Sequence, residues 1–115
     1  MLLNIEEKRI PPDIDHIAIA GKLTIGRESQ RLENLLDELV KNGARKVVLD
    51  MTKLEYIDSS GIGILAHVAG KMKQTGGRVV IALQEGRVRH ILRIAQIDAV
   101  VPVNETVELA AAAVA

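Results

Sequence analysis

A chain of 115 residues is long enough to bury one core without disulfide or metal staples, and too short for two independent domains. With 48% hydrophobic and 26% charged residues it is not a disordered chain, and because Tyr56 is its only aromatic residue the core is aliphatic and base-stacking platforms for single-stranded nucleic acid are missing. Fifteen basic and fifteen acidic side chains cancel, which removes any global field toward nucleic acid or anionic lipid, and the absence of cysteine excludes disulfides, thiolate metal sites and cysteine nucleophiles.

The opening run, "LLNIEEKRI", alternates weakly and turns charged too early for a signal peptide. No apolar run reaches membrane-spanning length, so a cytoplasmic protein without membrane contact is expected. Pro11-Pro12-Asp13 marks a turn, since proline cannot supply ladder donors. "HIAIAGKL" then alternates cleanly, with Ile17 and Ile19 toward one face and Ala18 and Ala20 toward the other, and the two runs are expected to pair antiparallel. Between Gly26 and Asn42, Leu32, Leu35, Leu36 and Leu39 recur at helical spacing, and Asn42-Gly43 closes that helix. "KVVLDM" is a continuous apolar run, the mark of a central strand covered on both faces.

A second helix is predicted from about Ser60 to Gln74, with Ile64, Leu65, Val68 and Met72 as its apolar stripe and Thr75-Gly76-Gly77 as its stop. "RVVIAL" reads as the next strand. "EGRVRHILRIA" reads as a third helix with Val88, Ile91, Leu92 and Ala95 inward, and "AVVPV" as a short last strand limited by Pro102. The alanine-rich end, Asn104 to Ala115, favours helix but is too short to persist unless docked. Strands alternating with helices in one compact unit give an α/β fold over residues 1–115.

Chemistry concentrates in "LEYIDSSGIGIL", where Asp58, Ser59 and Ser60 fall at the start of the second helix. Unpaired N–H groups and the positive end of the helix dipole favour an anion there. Gly61 and Gly63 carry no side chain to screen those donors and leave a smooth surface for another molecule. Three readings are open: the serines are nucleophiles, helix caps, or sites where phosphate is written. Catalysis lacks a base on the same helix, which leaves His16 and His90 as partners only through a tertiary contact. His67 lies about 12 Å along the helix from Ser59, and the stretch does not match the Gly-x-Ser-x-Gly elbow. Capping and phosphorylation are compatible, and a phosphate would add about −1.5 to −2 charges without refolding the domain.

Other signals are weak. Gly70-Lys71 lacks the rest of a phosphate-binding loop, and the histidines have no metal-ligand spacing, so neither cofactor nor metal is expected. Arg87, Arg89, His90 and Arg93 are read as a solvated helix face, and Asn104-Glu105-Thr106 as a cap.

"YIDSSGIGIL", together with the order of elements through "RVRHILRIAQIDAVVPV", resembles the STAS domain, and in particular the stand-alone bacterial anti-sigma-factor antagonists. The resemblance implies a single domain over 1–115, a central mixed β-sheet of about five strands with about four helices, and a protein that is not an enzyme. It implies phosphorylation at Ser59, the serine directly after the aspartate, by an anti-sigma factor that is also a serine kinase, with reversal by a PP2C-type phosphatase. Asp58, Ser60, Gly61, Ile62 and Gly63 then map to the partner-binding helix start. Thr24, in "GKLT", stands where the family commonly has an acid beside the phosphorylated serine, and is a further partner-contact candidate. The other function such a domain could serve is a scaffold or ligand-binding module, in a stress-signalling complex, a nucleotide sensor or a lipid-transport system, that ignores Ser59.

Overall fold

The computed structural model describes residues 3–115. Its elements follow the order β1 (Leu3–Ile10), β2 (Ile14–Leu23), α1 (Arg27–Lys41), β3 (Lys46–Ile57), α2 (Ser59–Gln74), β4 (Arg78–Ala82), α3 (Arg87–Ile94), a 3-10 turn (Ile97–Ala99), β5 (Val103–Asn104) and α4 (Val107–Val114). The expected start of the first strand at Leu2 lies outside the described residues. The sheet is mixed, in the order β1-β2-β3-β4-β5: β1 and β2 form an antiparallel hairpin, and the remaining neighbours are parallel.

Two apolar layers cover this sheet. On one face Ile17, Ile19, Val47, Leu49 and Ile81 meet Leu32 and Leu36 of α1, Leu65, Val68 and Met72 of α2, and Val88 and Leu92 of α3. On the other, Ile14, Val48, Val80 and Ala82 meet Ala110 and Val114 of α4. Thr106 caps α4, its hydroxyl accepting the Leu109 N–H at 3.1 Å. That docking holds an eight-residue helix that would not persist alone.

β3 is twice as long as the apolar run "KVVLDM", because two irregularities rephase it. Its partner register runs from Ala18↔Asp50 to Ala20↔Lys53, and then from Gly21↔Leu54 to Lys22↔Tyr56, so β3 carries an extra residue at each step. A bulge inserts one residue and turns the following side chains to the opposite face. Met51, Leu54 and Ile57 therefore all reach the same core, at a spacing of three that simple alternation would forbid.

Two expectations need correction. Ala95 is exposed as the C-cap of α3, not inward, since the helix stops at Ile94 and the chain turns away through Gln96 at φ 60°. "AVVPV" is mostly not strand: the N–H groups of Val100 and Val101 both donate back to the Ile97 carbonyl at 2.8 Å, and pairing starts only after Pro102.

Candidate functional site

The parallel pairing of β2 and β3 brings two chain exits together, the loop Thr24-Ile25-Gly26 leading into α1 and Asp58 leading into α2. Asp58 joins them. Its N–H donates to the carbonyl of Leu23, the last residue of β2, at 3.2 Å, so the ladder continues one residue past the end of β3. Its carboxylate then divides: Oδ1 accepts the Gly61 N–H at 3.1 Å and caps α2, while Oδ2 accepts the Ile25 N–H at 3.1 Å and holds the β2–α1 loop. One side chain thus fixes the relative position of two helix starts.

The cap is Asp58 and not a serine. Ser59 is exposed at the first position of α2 and Ser60 is half-buried at the second. Among the described residues neither hydroxyl is tied into a hydrogen bond, and that of Ser59 lies at an exposed position. Apart from Asp58 the first turn holds no acid, and the unpaired N–H groups there face outward with the positive dipole end.

The two glycines differ. Gly63 is exposed, and a Cβ there would meet nothing within 4 Å, as expected of open surface. Gly61 is buried, and a Cβ there would stand 2.7 Å from side-chain atoms of Ile57 and Leu23 and 2.8 Å from the Leu23 carbonyl oxygen. Its role is close packing of α2 on the strand ends, which corrects the reading of Gly61 as open surface. Ile62 is half-buried against the core rather than freely displayed. The large apolar side chain that is displayed is Ile25, 80% exposed, in the loop that Asp58 holds. Composition did not single it out; an aliphatic residue immediately before Gly26 in a polar loop was the available signal. Half-buried Thr24 lines a depression of about 360 Å³ with Ile25, Arg27 and Glu28. Glu28 is the one carboxylate among the residues that line this depression.

His16 and His67 are occupied elsewhere, and His90 is exposed on α3. His16 Nε2 lies 2.9 Å from Asp50 Oδ2 in mid-sheet, and Asp50 Oδ1 accepts the Thr52 hydroxyl at 2.6 Å and the Thr52 N–H at 3.1 Å. Burial pushes the Asp50 carboxyl up, but hydrogen bonds from Thr52 and His16 together hold it below the usual carboxylate range. His67 faces Asp37 across α1 and α2 at 3.6 Å, where Lys71 also donates to Asp37 at 3.1 Å. On α3, Arg89 donates to the Leu83 carbonyl at 2.7 Å and Arg93 pairs with Glu85, so the arginine row is partly engaged in holding its own helix.

The STAS domain family matches residues 7–110. BtrV of Bordetella bronchiseptica, named as an anti-sigma factor antagonist, is 35% identical over 85 residues, 74% of this chain and 73% of its own. Among solved structures, an anti-sigma factor antagonist of Thermotoga maritima superposes with a TM-score of 0.86 at 21% identity, over 96% of this chain and 93% of that one. The Bacillus cell fate determinant SpoIIAA in its phosphorylated form superposes with a TM-score of 0.74 at 16% identity, over 97% of this chain and all of that one (100%). The two solved structures thus share the fold of this chain.

Proposed function

The chain belongs to the STAS domain family, and on that premise we propose that it is an anti-sigma factor antagonist switched by phosphorylation of Ser59. As a single domain over 1–115, without chemistry of its own, it binds an anti-sigma factor when Ser59 is bare and so releases a sigma factor. The same anti-sigma factor is the serine kinase that modifies Ser59, and a PP2C-type phosphatase restores the hydroxyl. Such a cycle runs in the cytoplasm and needs no direct contact with nucleic acid. The names of BtrV and of the Thermotoga maritima protein support the activity, and the phosphorylated form of SpoIIAA supports the modification.

The observation that carries the proposal is the division of labour at the start of α2. Asp58 performs the capping, so the exposed Ser59 is not needed to hold the helix and can accept a charge without unfolding it. A phosphate there stands on free N–H groups, which stabilise it, and beside the Asp58 carboxylate, which repels it. Its added −1.5 to −2 charges, roughly, alter the surface formed by Ile25, Thr24, Ser60, Ile62 and Gly63, and a partner that buried a neutral surface there would be expelled. Gly61 contributes from behind, by keeping α2 close to β3.

Phosphosite mapping on protein isolated from its own cells, in growth and under stress, tests the reading. Occupancy at Ser59 that changes with conditions supports it. A bare Ser59 in every condition would defeat it and favour a ligand or scaffold module.

A further inference from the structure

At the far end of α2, about 21 Å along the axis from Ser59 for the fourteen residues to Lys73, the sheet is left open. β4 pairs with β3 along Arg78–Ala82, but with β5 only at Ile81 and Ala82. The Ile81 N–H donates to the Pro102 carbonyl at 2.9 Å and the Leu83 N–H to that of Asn104 at 2.8 Å. Carried one step toward the start of β4, this ladder would need the nitrogen of residue 102 to donate to the Val79 carbonyl. Pro102 has no N–H, and the preceding chain curls away into the 3-10 turn. The Arg78 N–H is taken by Arg45 on the β3 side, so the alternating Val79 N–H points to the open side, where it has no acceptor among the described residues.

This open edge forms the floor of a groove of about 390 Å³ between the last turns of α2 and the segment before β5, walled by Gly70 and by Val100, which is 60% exposed. A Cβ on Gly70 would meet nothing within 4 Å, so its bareness serves no internal packing. Lys73, on the wall of the groove, is exposed and in no ion pair among the described residues, whereas the Arg78 guanidinium is turned to α4, where it donates to the Ala113 carbonyl at 2.9 Å. An unfinished strand edge asks for extended backbone, apolar walls ask for aliphatic side chains, and the free Lys73 ammonium asks for a carboxylate.

We propose that this groove binds an extended acidic–apolar segment of a partner protein, which adds a short strand beside Val79 and sets a carboxylate against Lys73. The site is independent of Ser59 and stands or falls apart from the switch at the other end of α2. It makes the protein a two-ended adaptor.

The test uses the full chain and a fluorescein-labelled peptide of alternating valine and glutamate, with a valine–lysine peptide as control. Anisotropy is expected to show saturable binding of the acidic peptide alone, and NMR to show a shifted, exchange-protected Val79 amide. Lys73→Glu, an exposed change, is expected to weaken binding at least about tenfold, and Val100→Asp to do the same from the opposite wall. Ser59→Asp should leave the affinity unchanged. No binding up to millimolar peptide, equal binding of the lysine peptide, binding that leaves the Val79 amide unmoved, or indifference to both groove variants would each overturn the proposal. So would a dimer of this chain that occupies the groove and excludes the peptide.

Discussion

Asp50 and Asp58 stand on the same strand and its exit, and they are used in opposite ways. Asp50, in mid-sheet, turns inward: its oxygens are taken up by the side chains of His16 and Thr52 and by the Thr52 N–H, and the cluster ends there. Asp58 turns between elements, its oxygens holding the backbones of α2 and of the β2–α1 loop and leaving the neighbouring Ser59 and Ile25 exposed. A carboxylate satisfied by side chains within one sheet adds local stability and presents nothing. One satisfied by two backbones positions a surface. Stability and recognition should therefore separate along β3.

The largest expected effect falls on the stability of the exit itself. Gly61→Ala would force a methyl group against Leu23 and Ile57, and overpacking of this kind costs about 1–3 kcal/mol. Urea unfolding should show a lower midpoint, and a midpoint unchanged from wild type would mean that α2 can shift freely on the strand ends.

Next comes the middle of the strand. Asp50→Ala leaves the Thr52 and His16 groups without their acceptor, a loss of about 1–3 kcal/mol, with affinity for the anti-sigma factor unchanged in the folded fraction. The pH dependence sharpens this. A carboxyl held lower in the folded than in the unfolded state adds stability above its unfolded value, about 3.9, and that stability is lost as pH falls through the folded value. Wild type should thus lose stability more steeply than Asp50→Asn between about pH 5 and pH 2. Parallel slopes from denaturant titrations would remove Asp50 from the account.

Asp58→Ala should cost less stability, about 1 kcal/mol for the lost cap, yet most of the partner affinity, since the Ile25 loop loses its tether as well. Calorimetric binding at full affinity would show that the two helix starts are positioned by something else. The smallest effect on folding belongs to Ser59→Asp, within about 0.5 kcal/mol for an exposed site. Its binding to the anti-sigma factor should nonetheless fall at least about tenfold through like-charge repulsion and desolvation. Intact affinity in that variant would erase the proposed contrast between the two regions.

The alternation of "HIAIAGKL", the leucine spacing of α1 and the apolar stripe of α2 were legible because each is a local period that a single face must satisfy. The serine-bearing helix start was legible for the same reason, since Asp-Ser-Ser-Gly before an apolar helix is a local signal. The second half of β3 was not, because Met51, Leu54 and Ile57 follow no strand period until β2 imposes its two register shifts. "AVVPV" misled in the opposite sense: its composition favours strand, but the chain before Pro102 closes its N–H groups onto Ile97. By itself, then, the sequence determined which segments are helix or strand wherever burial is one-faced and periodic, and where an anion would be welcome. The tertiary structure alone decided which residue caps α2, which glycine is buried, and that the Ile25 loop is tied to Asp58, because each depends on how β2 and β3 come into register across the intervening helix.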